Sequence, residues 1–139
     1  MRSITLIIIH CSAVRPDQTS SARQIDQWHK ARGWTCIGYH YVIRRDGTLE
    51  VGRPEAQVGA HCQNHNQHSL GICYEGGLDC NGHPADTRTP EQKCALRTLL
   101  VELKQKYPHA IITSHHTFDP QKQCPCFDAD AEYLQLSNQ

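Results

Sequence analysis

Residues 4–10 read ITLIIIH, an apolar run rich in β-branched side chains that ends in a histidine. Such a run, without polar alternation, suits a strand buried on both faces. A polar loop follows, and Ser20 or Ser21 is placed to cap a helix that carries Ile25 and Trp28 on one face, with Gly33 closing it. The next stretch, YHYVIRRDGTLEVGR, alternates about an Asp46-Gly47 pair and predicts a β-hairpin. SLGICYEGG, at 69–77, predicts a second buried strand, and Asn81-Gly82 marks the tip of a turn-rich excursion. Thr89-Pro90-Glu91-Gln92 is a helix start: Thr as N-cap, Pro in the first helical position, Gln closing a capping box. Ala95, Leu96, Leu99, Leu100, Leu103 and Tyr107 then recur at helical spacing until Pro108 stops the run. AIITS, at 110–114, predicts a short strand, and Asp128 is placed to cap a last short helix.

Strands alternating with helices, plus one antiparallel hairpin, predict an α/β fold: a three-layer domain with a mixed central β-sheet flanked by helices. The length of 139 residues fits a single domain, 1–139, with a core that needs no staples. Basic and acidic residues number 14 each, so no basic excess points to nucleic acid. No apolar run approaches the ~20 residues of a membrane span. The opening MRSITLIIIHCSA has too short an apolar run, ending in histidine, for a signal peptide. A soluble chain, cytoplasmic as synthesised, is therefore expected. Eight cysteines are many, but several fall inside regular elements, Cys73 in a strand and Cys94 in a helix. Their spacing leaves free thiols and disulfides both open.

The chemistry concentrates in SHHTFDPQKQCPCFD, at 114–128. Two predicted buried strands end in histidine, at His10 and at His115. In open α/β sheets, sites form beyond the carboxyl ends of the strands, so these imidazoles can converge there. Cys124 follows on the next loop. Two imidazoles and a thiolate make a three-ligand zinc set with one position left over, the pattern of a catalytic site. His116, Cys126 or Cys11 as a fourth ligand would make the site structural instead. Lys122, two residues before Cys124, repels a cation but suits a developing oxyanion. Alone, a lysine in a polar loop is more often a solvated side chain, and Tyr39 more often packing.

The stretches IIIHCSA, QWHKARGW, GYHYVIRRDGTLEVGR, NQHSLGICYEGG, TPEQ and KQCPCFD occur in the order found in zinc-dependent N-acetylmuramoyl-L-alanine amidases. The chain resembles the phage lysozyme type of that family, which shares a fold with the peptidoglycan recognition proteins. The resemblance spans about residues 4–127. It implies zinc on His10, His115 and Cys124, catalytic roles for Tyr39 and Lys122, and His61, with Asn66 near it, lining the substrate groove. The implied substrate is peptidoglycan or its muropeptides, cut by a monomer that reaches the wall after release or non-classical export. In the family a carboxylate often stands two residues after the second histidine ligand; here that place is Thr117, and Asp119 is the substitute on offer. Cys126 stands where the phage enzymes carry serine. The rival implied by the same fold is a non-catalytic peptidoglycan-binding module, which typically lacks the cysteine ligand. A role in binding another protein, such as a polymerase, is known in one branch of the resemblance; the few residues before the first strand give it little support.

Overall fold

The computed structural model describes residues 2–138. Five strands form one mixed sheet: β1 (Leu6–Cys11), β2 (Tyr41–Ile43), β3 (Leu49–Val51), β4 (Ser69–Tyr74) and β5 (Ile111–Ser114). Their order is β3-β2-β4-β1-β5. Only the β2–β3 hairpin is antiparallel; β4 runs parallel to β1 and β2, and β5 parallel to β1. The four parallel strands thus deliver their carboxyl ends to one edge, where ligand sites form in such sheets. His10 is the penultimate residue of β1, at that edge, and pairs in register with Cys73.

Alternation along β1 divides the layers. Ile7 and Ile9 join Leu70, Ile72 and Ile112 on the face covered by α2 (Pro90–Lys106), through Leu96, Leu99, Leu100 and Leu103. His115 lies just past β5, as the first residue of a short helix, α3 (His115–Phe118). Short helices α4 (Ala129–Glu132) and α5 (Leu134–Ser137) complete the layer under α2 with Ala129, Tyr133 and Leu136. The opposite face holds a smaller cluster: Ile25, Ile37, Val42 and Cys73, under α1 (Ala22–Ala31). The three-layer α/β expectation holds.

The start signals read from the sequence are in place. Ser21, not Ser20, caps α1 with a full capping box, and Thr89 caps α2 the same way. Gln92 does more than close its box: Nε2, fully buried, also donates to the carbonyls of Ile43 and Glu75. Asp128 accepts from the Ala131 N–H at the start of α4. One expectation fails. The buried residues of α1 are Ile25 and His29, four apart, while Trp28 is 43% exposed. His29 replaces it because its Nδ1 accepts the Gly38 N–H at 2.8 Å and its ring packs on Trp34 and Tyr39.

Glu75 ties the ends of three elements together behind this edge. Its carboxylate, almost wholly buried, accepts the Ser20 N–H at 2.6 Å and the Arg45 N–H at 2.9 Å, with Arg44 Nε 3.2 Å away. Burial alone would raise its pKa, but the two N–H donors and the guanidinium outweigh that and hold it below the ordinary value. A depressed pKa gives stability that is present above the unfolded value, about 4.5, and lost as pH falls through the folded one. Glu75→Gln should therefore cost roughly 2–3 kcal/mol in urea unfolding at pH 7. The gap from the parent should narrow below about pH 4.5; a gap constant with pH would show that the carboxylate charge contributes nothing.

Candidate active site and metal centre

His10 is fully buried, and its ring stands 4.5 Å from that of His115 and 5.0 Å from those of Tyr39 and His61, centroid to centroid. His10 Nε2 lies 2.9 Å from His61 Nδ1, and His61 Nε2 lies 3.2 Å from Ser69 Oγ. That leaves His10 Nδ1 as a buried nitrogen without a hydrogen-bond partner. An unpartnered buried polar atom is costly unless something is meant to occupy it. One nitrogen of His10, one of His115 and the Cys124 sulfur all lie within 4.8 Å of one another. These three form the one group of metal-ligand side chains among the described residues. Burial, then the neighbouring His61 and His115, holds the His10 pKa well below its ordinary value; burial lowers that of His115 too. Both rings are thus neutral, the form in which imidazole binds a metal.

The loop that brings Cys124 is fastened on every side. The backbone N–H of Cys11 donates to Cys124 Sγ at 3.0 Å, and the His116 N–H donates to the Cys124 carbonyl at 2.9 Å. Tyr74 Oη donates to the Pro125 carbonyl at 2.6 Å, and the Arg88 guanidinium stacks 3.3 Å from the Phe127 ring centroid. Arg88 is itself held by Asp86 and Glu132. His116 turns away: its Nδ1 bonds the Lys122 carbonyl at 2.5 Å. Cys126 Sγ donates to the Gly77 carbonyl. The third alternative fourth ligand, Cys11, turns its sulfur to that of Cys126 at 3.9 Å, so all three are engaged elsewhere.

Tyr39, His61, Asn66, His115, Lys122 and Cys124 line one groove of about 610 Å³. All seven residues singled out from the sequence therefore meet here, His10 beneath the floor and the others on its walls. Burial raises the Tyr39 phenol well above its ordinary pKa, so it is a hydrogen-bond donor at neutral pH. Lys122 is exposed on the turn that starts at Asp119. Both ring nitrogens of His61 and Oδ1 of Asn66 are spent on the protein. Asn66 Oδ1 accepts the N–H groups of both His61 and Cys62 at 2.9 Å, which sets the His61 backbone. Neither Thr117 nor Asp119 makes a hydrogen bond to a His115 ring nitrogen. Thr117 Oγ1 instead donates to Asp130, which also accepts from Thr113 Oγ1 and the Ser114 N–H. Asp130 thus fixes the strand end from which His115 projects, a role that sequence spacing gave no means of assigning.

Comparison with known proteins bears on this geometry. Residues 1–127 match the family model described as N-acetylmuramoyl-L-alanine amidase. The chain belongs to that family. It is 47% identical over 126 residues to the endolysin of Escherichia phage T7, covering 91% of this chain and 83% of the relative. The endolysin of Klebsiella phage KP32 is 48% identical over 122 residues, covering 88% and 80%. Among solved structures, the N-acetylmuramoyl-L-alanine amidase LysC from Clostridium intestinale superposes with a TM-score of 0.80 at 32% identity, over 96% of this chain and 84% of that one. Drosophila PGRP-LB gives 0.78 at 25% identity, over 96% and 81%.

The site depends on a glycine in the middle of β4. A Cβ on Gly71 would lie 2.6 Å from Cγ of His61 and 2.8 Å from its Nδ1, the atom facing His10. Gly71→Ala should cost about 1–3 kcal/mol by overpacking. Urea unfolding checks this, and an unchanged midpoint would mean that the His61 ring has room to move.

Proposed function

We propose that the protein is a zinc hydrolase that cuts the amide between the lactyl group of N-acetylmuramic acid and the L-alanine of the peptidoglycan stem. The observation that carries this reading is the meeting of His10, whose buried Nδ1 has no partner, with His115 and Cys124, one ligand atom of each within 4.8 Å of the others. The donor set fits zinc: two neutral imidazoles and a sulfur, with His116 and Cys126 otherwise engaged. When bound, zinc supplies Lewis-acid polarisation of the scissile carbonyl and a lowered pKa for the attacking water.

The residues of this chain do the rest. With Nδ1 reserved as a ligand, His10 donates its Nε2 hydrogen to His61 Nδ1, and His61 donates on to Ser69 Oγ, so the tautomer and ring plane of His10 are fixed. The Cys11 N–H steadies the Cys124 sulfur and lowers its charge density. Lys122 and Tyr39 both line the groove and stabilise negative charge on the carbonyl oxygen, Lys122 as a cation and Tyr39 as an O–H donor. No carboxylate lines the groove, so the paired acids of a glycosidase are missing from it. The protein acts on the wall once it has left the compartment of its synthesis, as a monomer. The rival reading, a recognition module without turnover, leaves Lys122, Tyr39 and the thiolate ligand without a task.

Digestion of purified peptidoglycan should release new L-alanine amino termini and no new reducing sugar ends, with chelation stopping the release and zinc restoring it. Reducing ends without alanine amines would overturn the amidase reading, and binding without either product would favour the recognition module. Elemental analysis should find one zinc per chain, lost in His10→Ala. Lys122→Ala and Tyr39→Phe should keep the zinc and the fold but lose about 100- to 1000-fold in turnover. Parental rates in either variant would remove that residue from the mechanism.

A further inference from the structure

The amidase reading leaves two thiols beside the site unused. Cys11 ends β1, and Cys126 follows Cys124 by two residues on the metal-site loop. Their sulfurs lie 3.9 Å apart, the one thiol–thiol hydrogen bond among the described residues. The local backbone makes room for this meeting. Gly77 lies beneath the pair with φ +100°, and a Cβ there would come within 2.5 Å of Cys11 Sγ. The Gly77 carbonyl accepts from Cys126 Sγ at 3.3 Å. Cys126 itself has φ +70°. Cys11 thus faces two sulfurs separately, its N–H holding Cys124 and its thiol meeting Cys126.

The two thiols face different spaces. Cys11, 6% exposed, borders the substrate groove, whereas Cys126 opens on a second cavity of about 470 Å³, bordered by Ser114, His116 and Asp128 rather than by Tyr39 or Lys122. A reagent can reach Cys126 without entering the substrate groove. A disulfide needs its sulfurs at about 2.05 Å, so closure asks for a shift of roughly 2 Å, the scale of a cysteine side-chain rotation.

We propose that Cys11 and Cys126 are a disulfide-forming pair that closes when the protein meets a disulfide oxidant, fastening the loop of Lys122 and Cys124 to the end of β1. This rests on the amidase reading only for the place where the oxidant is met: a wall enzyme leaves a reducing compartment for an oxidising one. The Cys126 thiolate attacks one sulfur of the oxidant and expels the first thiolate. Cys11 then attacks the mixed disulfide at the Cys126 sulfur and expels the second. The two protons lost by the pair go to the two leaving thiolates, so the oxidant is reduced to two thiols. Cys124, engaged as a ligand, stays out of the exchange. The bridge ties residues 115 apart in sequence, a span at which cross-linking restricts the unfolded chain strongly.

Zinc-loaded protein is incubated with oxidised glutathione, quenched with acid, unfolded and alkylated with N-ethylmaleimide. The expected product carries two fewer alkyl groups than the reduced protein and yields a linked peptide joining Cys11 to Cys126. Zinc should be retained, Tm should rise by about 5 °C or more, and dithiothreitol should reverse both changes. Cys126→Ser, with Cys126→Ala as a second variant, should show no link and no rise in Tm, while matching the reduced parent in activity. Full alkylation of both residues after oxidant treatment would overturn the proposal, as would a link through Cys124 with loss of zinc. A Cys11–Cys126 link in protein that releases no alanine amines would support the pairing while overturning the amidase reading.

Discussion

A buried imidazole with one nitrogen committed and the other unclaimed sets the terms for everything around it. His10 can leave Nδ1 without a partner only because Nε2 is held by His61 and burial keeps the ring neutral. That arrangement requires space for a second ring against the sheet, which Gly71 and Gly59 provide, and a backbone that holds His61 in place, which Asn66 provides. It also requires the neighbouring strands to end together, which the parallel pairing of β1 with β4 and β5 ensures. The sheet topology and the site are in this sense one design constraint. A one-residue slip in β1 would turn His10 into the aliphatic layer under α2.

The parts of the fold that depend on local chemistry were legible in the sequence. Both long helices start at capping boxes that can be read three residues at a time, and Asp46-Gly47 marks the hairpin without reference to anything distant. The meeting of His10, His115 and Cys124 was legible for a different reason: histidines at the ends of apolar strands are conspicuous, and the resemblance carried by the order of motifs pointed to Cys124 beside them. Long-range contacts were not legible. Trp28 looks like a core residue by composition, yet His29 takes the buried place because a backbone N–H nine residues away needs an acceptor. Likewise nothing in the spacing points to Asp130 as the group that bridges Thr113, Ser114 and Thr117. The resemblance implied a carboxylate two residues after His115; Thr117 stands there, and Asp130, fifteen residues downstream of His115, holds the strand end before it instead.

His61 and Asn66 show how a groove-lining position and a structural task coincide. Both contribute surface to the cavity, while the His61 ring nitrogens serve His10 and Ser69 and Asn66 Oδ1 serves the backbone of residues 61–62. These bonds keep in place the wall that a substrate meets. Lys122 and Tyr39 bring a cation and a phenol to the same groove, one from a turn and the other from the foot of the hairpin, where its ring packs on His10, His29 and His61.

The family model matches the chain to residue 127, but the mechanical closure of the site continues past it. Asp130 steadies the strand end before His115, Glu132 pairs with the guanidinium that stacks on Phe127, and Ser137 Oγ accepts the Ile112 N–H at the start of β5. A chain cut after Phe127 would keep every proposed ligand and both groove-facing residues, and would still lose the supports that hold two of those ligands in register. For this protein the boundary of the motif match and the boundary of the packing that supports the site are different lines, and residues 128–138 lie between them.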